Sequence, residues 1–405
     1  MKVAAIIAEY NPFHNGHKYQ LDKIREALGC DTAIVAIMSG NFTQRGELAV
    51  TDKTVRARAA CECGVNLVLE LPFPFSMSSA EFFAASGVKI ANALNIVDYL
   101  VFGSESGNID EIANVAEIIS SEEFLLTIES MNSSEKYKDK GYPEMCEAAI
   151  KILYGKKLDK SFFTPNNILA IEYVKALRKA KSKIIPYTIK RVGAGYRDTL
   201  TTGTTFQSAS AIREEFFANG RSALDYVPES AKDVFLAAEF DGKFPSDQSR
   251  LDAAVIASFR LSSPSSFDDI HDARGGLYNR LCENSAKVSS ISSLTSKTET
   301  KKYTKARIRR AVWNSYFGVT SSDVRSLPMY TQVLAMDDIG RSLLKRIKKT
   351  AELAVITKPS SYTEYGDEVI MQAELSHKAD SIYGLSLRVP NYGSFPLTFT
   401  PYVKK

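Results

Sequence analysis

The stretch "VAAIIAEYNPFHNGHKYQ", residues 3–20, sets the reading of the whole chain. Its first six residues form a continuous apolar run of strand length, and a polar turn holding His14, Gly16 and His17 follows at once. An apolar run that does not alternate predicts a strand buried on both faces, as in a parallel sheet covered by helices. The same pattern, closed each time by a turn, recurs at "TAIVAIMSG" (32–40), "VNLVLELP" (65–72) and "VDYLVFGSE" (97–105). Helical stretches separate these runs: residues 16–28 place Tyr19, Ile24 and Leu28 on roughly one face, and residues 51–63 are rich in Ala and Arg. Buried strands alternating with helices of this length predict an α/β fold built on a doubly wound parallel sheet.

Further along, the helical stretch "NNILAIEYVKALRKA" (166–180) leads to a fifth strand candidate, "SKIIPYTIKRVG" (182–193), and the α/β layer is expected to close near residue 220. Ser-rich pieces at 261–269 and 287–300 then punctuate helical segments, and residues 351–403 regain strand-type patterning, clearest in "AELAVITK". With 405 residues, 44% of them apolar and 24% charged, the chain fits a soluble protein of two or three domains. The start "MKVAAIIAEY" meets Glu9 before any cleavage pattern, so no signal peptide is expected. No segment reaches the roughly 20 apolar residues that span a bilayer. Five cysteines without zinc-type pairing fit free thiols in a reducing cytoplasm. The net charge of +4 is mild, so a nucleic-acid partner has to be argued from local charge.

The turn "NPFHNGH" sits where doubly wound sheets bind ligands, outside the carboxyl end of the first strand. Gly16 removes a side chain where backbone could approach a ligand, and the helix opening there offers N–H groups and a positive dipole end to phosphate. Two imidazoles beside it can donate hydrogen bonds to phosphate oxygens as charge develops. Metal ligation by the pair is one alternative, although no Cys, Asp or Glu cluster at ligand spacing accompanies it. A purely structural pair is the other.

H-x-G-H after a first buried strand resembles the signature of the nucleotidyltransferases related to class I aminoacyl-tRNA synthetases. The stretch "FQSASAIREEF" (206–216) resembles a variant of that superfamily's second motif, usually closer to I-S-S-T-x-x-R. Ser208, Ser210 and Arg213 match, while Ala209 and Ala211 depart from it. A hydroxyl pair opening a helix, with an arginine one turn on, can hold β- and γ-phosphates and neutralise departing pyrophosphate. On its own, Ser-x-Ser before a helix is an ordinary N-cap.

Longer stretches narrow the resemblance. "EYNPFHNGH" (9–17), "MSGNFTQRGELAVTDK" (38–53), "LVLELPF" (67–73), "FGSE" (102–105), "PNNILAIEY" (165–173), "IKRVGAGY" (189–196) and "VLAMDDIGRSLLKRIK" (333–348) resemble, in order, the tRNA(Met) cytidine acetate ligase family. The resemblance implies a cytoplasmic enzyme that turns acetate and ATP into acetyl-adenylate and pyrophosphate. It then passes the acetyl group to N4 of the wobble cytidine of elongator tRNA(Met). Mg²⁺ is expected with the ATP rather than on protein ligands, and neither acetyl-CoA nor a membrane is expected as a partner.

On this likeness, residues 1–220 form an ATP-binding catalytic domain, 221–350 a mostly helical tRNA-binding module and 351–405 a small α/β appendage. His14, His17, Ser210 and Arg213 are the expected catalytic residues. ATP is expected to contact Ile7, Ala8, Glu9, Tyr10, Asn11, Pro12, Phe13, His14, Asn15, Gly16, His17, Lys18, Tyr19 and Gln20, with Gly103, Asn167, Arg191, Val192 and Ser208. Gly103 would leave room for adenosine, and Asn41, Gln44 and Arg45 are candidates for the acetate or cytidine side. Asp52, Glu9 or the departing phosphate could accept the cytidine proton.

For the RNA, "KTETKKYTKARIRRAVW" (297–313) offers Lys301, Lys302, Lys305, Arg307, Arg309 and Arg310, with Tyr303 and Trp313 interleaved as possible stacking partners for unpaired bases. The alternative is a solvated amphipathic helix with Ile308 and Val312 facing the core. "GRSLLKRIKK" (340–349) is a second basic helix. Three rival functions remain: adenylyl transfer to a small metabolite, acetyl-CoA-dependent transfer through "KRVGAG" (190–195), and tRNA binding without catalysis.

Overall fold

A computed structural model describes residues 1–137, 142–155, 163–192, 206–262 and 269–405. The first apolar run is β1 (Val3–Ala8), and the next four are β2 (Ala33–Ser39), β3 (Leu67–Leu71), β4 (Tyr99–Ser104) and β5 (Ile185–Lys190). All four neighbouring pairs among these five strands are parallel, in the order β5-β4-β1-β2-β3. Helices α1 (Asn15–Leu28), α2 (Lys53–Glu62) and α3 (Ala80–Ala93) connect the first four.

Because side chains alternate along a strand, β1 feeds two cores at once. Ala4 and Ile6 pack on Leu21, Ile24 and Leu28 of α1, while Ala5 and Ile7 pack with Phe83 and Ala84 of α3. The buried stripe of α1 is therefore Leu21, Ile24 and Leu28. Tyr19, expected on that stripe, stands half-buried at its edge with its ring 5.6 Å from that of Phe206.

The α/β layer does not close near residue 220. β6 (Tyr330–Met336) pairs antiparallel with β3, Leu67 facing Met336, and β7 (Ala354–Ile356) and β8 (Tyr402–Val403) both run parallel along the other side of β6. The physical reason lies in β3: "LVLEL" is buried throughout, and an uncovered apolar edge would expose its backbone donors and acceptors. The region drawn as an appendage thus contributes two strands to the sheet, and its longest element is a helix, Asp367–Gly384. That helix reaches back to the first half of the chain. Asp380 meets Lys53 Nζ at 2.5 Å, and the same ammonium lies 2.7 Å from both oxygens of Glu70, with all three side chains buried.

β1 lies at the point where the strand order reverses. It pairs with β4 only at Ala4–Tyr99 and Ala5–Leu100, whereas β4 and β5 pair over six positions. Beyond Ala5 and Leu100 no ladder joins the two strands, and a crevice opens at their carboxyl ends.

Candidate active site

The crevice is lined by Ile6 to Asn11, His14 and His17 from the β1–α1 turn, by Phe102 and Gly103 at the end of β4, and by Ser208, Ser210 and Arg213 from the second motif. His14 is the N-cap of α1, and its Nδ1 accepts the Gly16 N–H at 3.0 Å. His17 returns the bond, its Nδ1 accepting the His14 N–H at 3.2 Å. A neutral imidazole whose Nδ1 accepts must carry its proton on Nε2. Helix capping therefore fixes the tautomer of both rings, tilted at 35° with centroids 3.9 Å apart, as donors at Nε2.

Gly16 serves a different purpose from the one its position suggests. A Cβ there would lie 2.8 Å from His14 Cε1 and 3.0 Å from its Nδ1, so the missing side chain leaves space for the first imidazole. Gly16→Ala is expected to tilt that ring and, for the activity that the sequence resemblance implies, to cut acetate-dependent ATP–pyrophosphate exchange by about 100-fold, the scale of an ångström's misplacement. An unchanged exchange rate in a folded variant would show that ring position does not matter.

Burial is the first cause holding both rings neutral. It pushes the pKa of His14 down to about 3, helped by Arg191 and Arg213, and that of His17 well below the ordinary value, helped by His14 and Arg191. The unfolded rings gain protons as pH falls below about 6.5 while the folded ones do not, so their contribution to stability is present above that pH and is lost below it. His14→Gln should therefore flatten the decline of the unfolding free energy, from urea titrations between pH 6.5 and 5, by up to about 1.4 kcal/mol per pH unit. The comparison has to be between variant and parent. Glu70 titrates with the opposite sign, because burial raises its pKa and each proton it binds on acidification favours the fold.

The second motif faces the first. Ser208 caps the helix Ala209–Asn219, its Oγ accepting the Ala211 N–H at 3.2 Å, and Ser210 opens the first turn. Arg213 donates to the Asn11 carbonyl at 2.9 Å, which ties the two motifs directly, and to Ser210 Oγ at 3.4 Å. Its other partner is Glu47, 3.0 Å away. Arg191 lines the same crevice, and a Cβ on Gly103 would come within 3.2 Å of its Cγ. Gly103 thus makes room for the stem of Arg191.

Comparison with known proteins matches residues 1–393 to the family described as HIGH Nucleotidyl Transferase. The tRNA(Met) cytidine acetate ligase of Thermoanaerobacter sp. (strain X514) is 37% identical over 370 residues, 90% of each chain, and that of Acetivibrio thermocellus is 34% identical over 99% of each. The chain belongs to the tRNA(Met) cytidine acetate ligase family. A crystal structure of Thermotoga maritima TmcAL bound with alpha-thio ATP superposes with a TM-score of 0.90 at 30% identity, covering 100% of both chains. The apo form of that protein gives 0.91 at 31%.

Within this family member the remaining candidates separate into two groups. Gln44 and Arg45 line the crevice, and the Gln44 N–H donates to Glu9 Oε1 at 3.0 Å. Asn41 does not line it. It is buried, donates to Asp380 Oδ1 at 2.9 Å and accepts the Lys53 N–H at 2.7 Å, so it belongs to the buried ionic cluster. Asn167 is buried as well, bracing the β4 loop by accepting the Glu105 N–H at 3.0 Å, while Asn166 beside it lines the crevice. Asp52 caps α2 through Thr54 and is 2% exposed. Glu9 stands in the crevice, its pKa raised by burial against the pull of Arg213. Val192 lines the adjoining end of the crevice with Phe206, whereas residues 193–196 of "IKRVGAGY" lie outside the described residues.

The basic segment is the helix Lys305–Phe317 with its approach. Trp313 is fully buried and Tyr303 is 8% exposed, so neither offers a face to RNA; both had to enter the core because Ile308, Ala311 and Val312 turn that side of the helix inward. Arg310 is buried against Asp272, and Arg307 donates to the carbonyls of Asp272 and Arg274. Arg309 pairs with Glu47. Lys301, Lys302 and Lys305 remain exposed.

Two residues escaped the sequence reading. Arg56 of α2 is fully buried and donates to the carbonyls of Glu9, Ser39, Gly40 and Thr51, holding the loops after β1 and β2 together. Its signal was an arginine set among Ala57, Ala59 and Ala60, off the side of the helix on which Thr54, Arg58 and Glu62 meet solvent. Glu47 bridges Arg213 and Arg309, joining the second motif to the basic helix.

Proposed function

We propose that this chain activates acetate with ATP as acetyl-adenylate and passes the acetyl group to N4 of the wobble cytidine of elongator tRNA(Met). The observation that carries the reading is the locked pair of Nε2 donors at the switch point, flanked by Arg191 and Arg213. An acetate oxygen attacks the α-phosphorus, the bond to the bridging oxygen breaks, and pyrophosphate leaves. His14 and His17 donate to the oxygens that gain charge, and Arg213, with Ser210, takes the departing β- and γ-phosphates. Mg²⁺ fits this reading as a companion of the phosphates, with phosphate and water oxygens as ligands.

In the second step the cytidine amine attacks the acetyl carbonyl, AMP leaves, and one amine proton must be taken up. Glu9 is the carboxylate that lines the crevice among the described residues, and burial raises its pKa, which makes it a stronger proton acceptor than an exposed glutamate. Glu9→Gln is expected to slow transfer to tRNA by about 100-fold while acetyl-adenylate still forms. Equal losses in both steps would remove Glu9 from the transfer.

The RNA backbone is assigned to Lys301, Lys302 and Lys305. The deciding experiment supplies the purified protein with ATP, radiolabelled acetate and unmodified elongator tRNA(Met). Label in the tRNA that depends on ATP and not on acetyl-CoA supports the ligase; label arriving only from acetyl-CoA, or never, overturns it.

A further inference from the structure

We propose that a second cavity, on the far side of Arg213 from the ATP crevice, holds an unpaired RNA nucleotide with its base stacked on Phe217. The proposal rests on the ligase reading and goes beyond it by naming where the acceptor base enters. The cavity has a volume of about 620 Å³ and shares Ser210 and Arg213 with the crevice, so the two spaces meet at the phosphate-handling arginine. Its walls converge from separate parts of the chain: the loop after β2, the helix Ala209–Asn219, the helix Ile291–Thr298 and the basic helix.

Two carboxylates, Glu47 and Glu214, lie in the lining, and the rest of it suits a nucleotide. Phe217 is 62% exposed although its neighbour Phe216 is buried, leaving an aromatic face on the cavity wall. Bases stack on such faces regardless of sequence, which is how proteins hold single-stranded RNA. Lys305 and Arg309 supply cations for the flanking phosphates. Lys305 lies 3.6 Å from Glu299 in an exposed pair, and ion pairs of that kind are weak enough for a phosphate to displace. Arg309 shares Glu47 with Arg213, so a phosphate drawing on Arg309 leaves Glu47 to Arg213. Ser292, Ser296 and Gln248 add donors and acceptors for a base edge or ribose. A volume within the usual 300–1,000 Å³ of ligand pockets fits one nucleotide better than a folded stem.

The test uses Phe217→Ala, with Phe217→Tyr as the variant that keeps the ring. Acetyl transfer should show the KM for tRNA raised about 5- to 150-fold in Phe217→Ala and restored in Phe217→Tyr. Acetate-dependent pyrophosphate exchange, which needs no RNA, checks that the ATP half is folded. In a second arm, an anticodon stem-loop carrying a fluorescent cytidine analogue at the target position should be quenched by the parent and by Phe217→Tyr, but not by Phe217→Ala. Unchanged KM and unchanged quenching in Phe217→Ala overturn the proposal. If the parent never labels tRNA, the ligase reading fails separately, and Phe217-dependent quenching of the stem-loop would still uphold the cavity as an RNA site.

Discussion

His17→Ala is expected to lower acetate-dependent ATP–pyrophosphate exchange by about 10²–10³-fold, the cost of removing one preorganised donor from a site of developing charge. The residue contributes twice. Its Nε2–H is one of the two imidazole donors, and its Nδ1 accepts the N–H that fixes His14 as cap of α1. tRNA binding should survive, because the exposed lysines and Phe217 lie on other elements. Filter binding of tRNA alongside the exchange assay separates the two effects; a variant that exchanges normally and fails to bind RNA would reverse the assignment of roles.

Lys53→Met is expected to destabilise the fold by about 3–5 kcal/mol, the usual cost of breaking a buried ion pair from one side. Burial acts to lower the Lys53 pKa, and Asp380 and Glu70 outweigh it, so the ammonium stays protonated. Without it, Glu70 and Asp380 are left as buried carboxylates whose pKa values burial already raises. Their protonation relieves the penalty, so the loss should be smaller at pH 5 than at pH 8 in urea unfolding. Adding Glu70→Gln and Asp380→Asn to Lys53→Met should recover much of it. A loss below 1 kcal/mol, independent of pH, would mean that the cluster contributes little.

The first four strands were legible in the sequence because each is a short, nearly continuous apolar run closed by its own turn, information contained in fewer than ten residues, and the fifth followed from its place after a helical stretch. The histidine pair was legible for the same reason. What escaped depends on partners far away. Asn41 reads as a polar loop residue next to the motifs, and only Asp380, 339 positions later, turns it into a buried structural amide. Tyr303 and Trp313 read as stacking aromatics because they interleave with lysines and arginines, yet the helix they accompany buries one whole side. β6 belongs to the sheet through its pairing with β3, which neither run reveals alone.

That last pairing also sets a timetable for biosynthesis. β3 is finished at Leu71 and its edge partner begins at Tyr330. At about 5–20 residues per second, a ribosome needs roughly 13–50 s to make the intervening chain. Throughout that interval a strand reading "LVLEL" waits with one backbone edge open to other nascent chains. A fragment ending near residue 220 keeps that edge for good, and is expected to aggregate where the full chain remains dissolved.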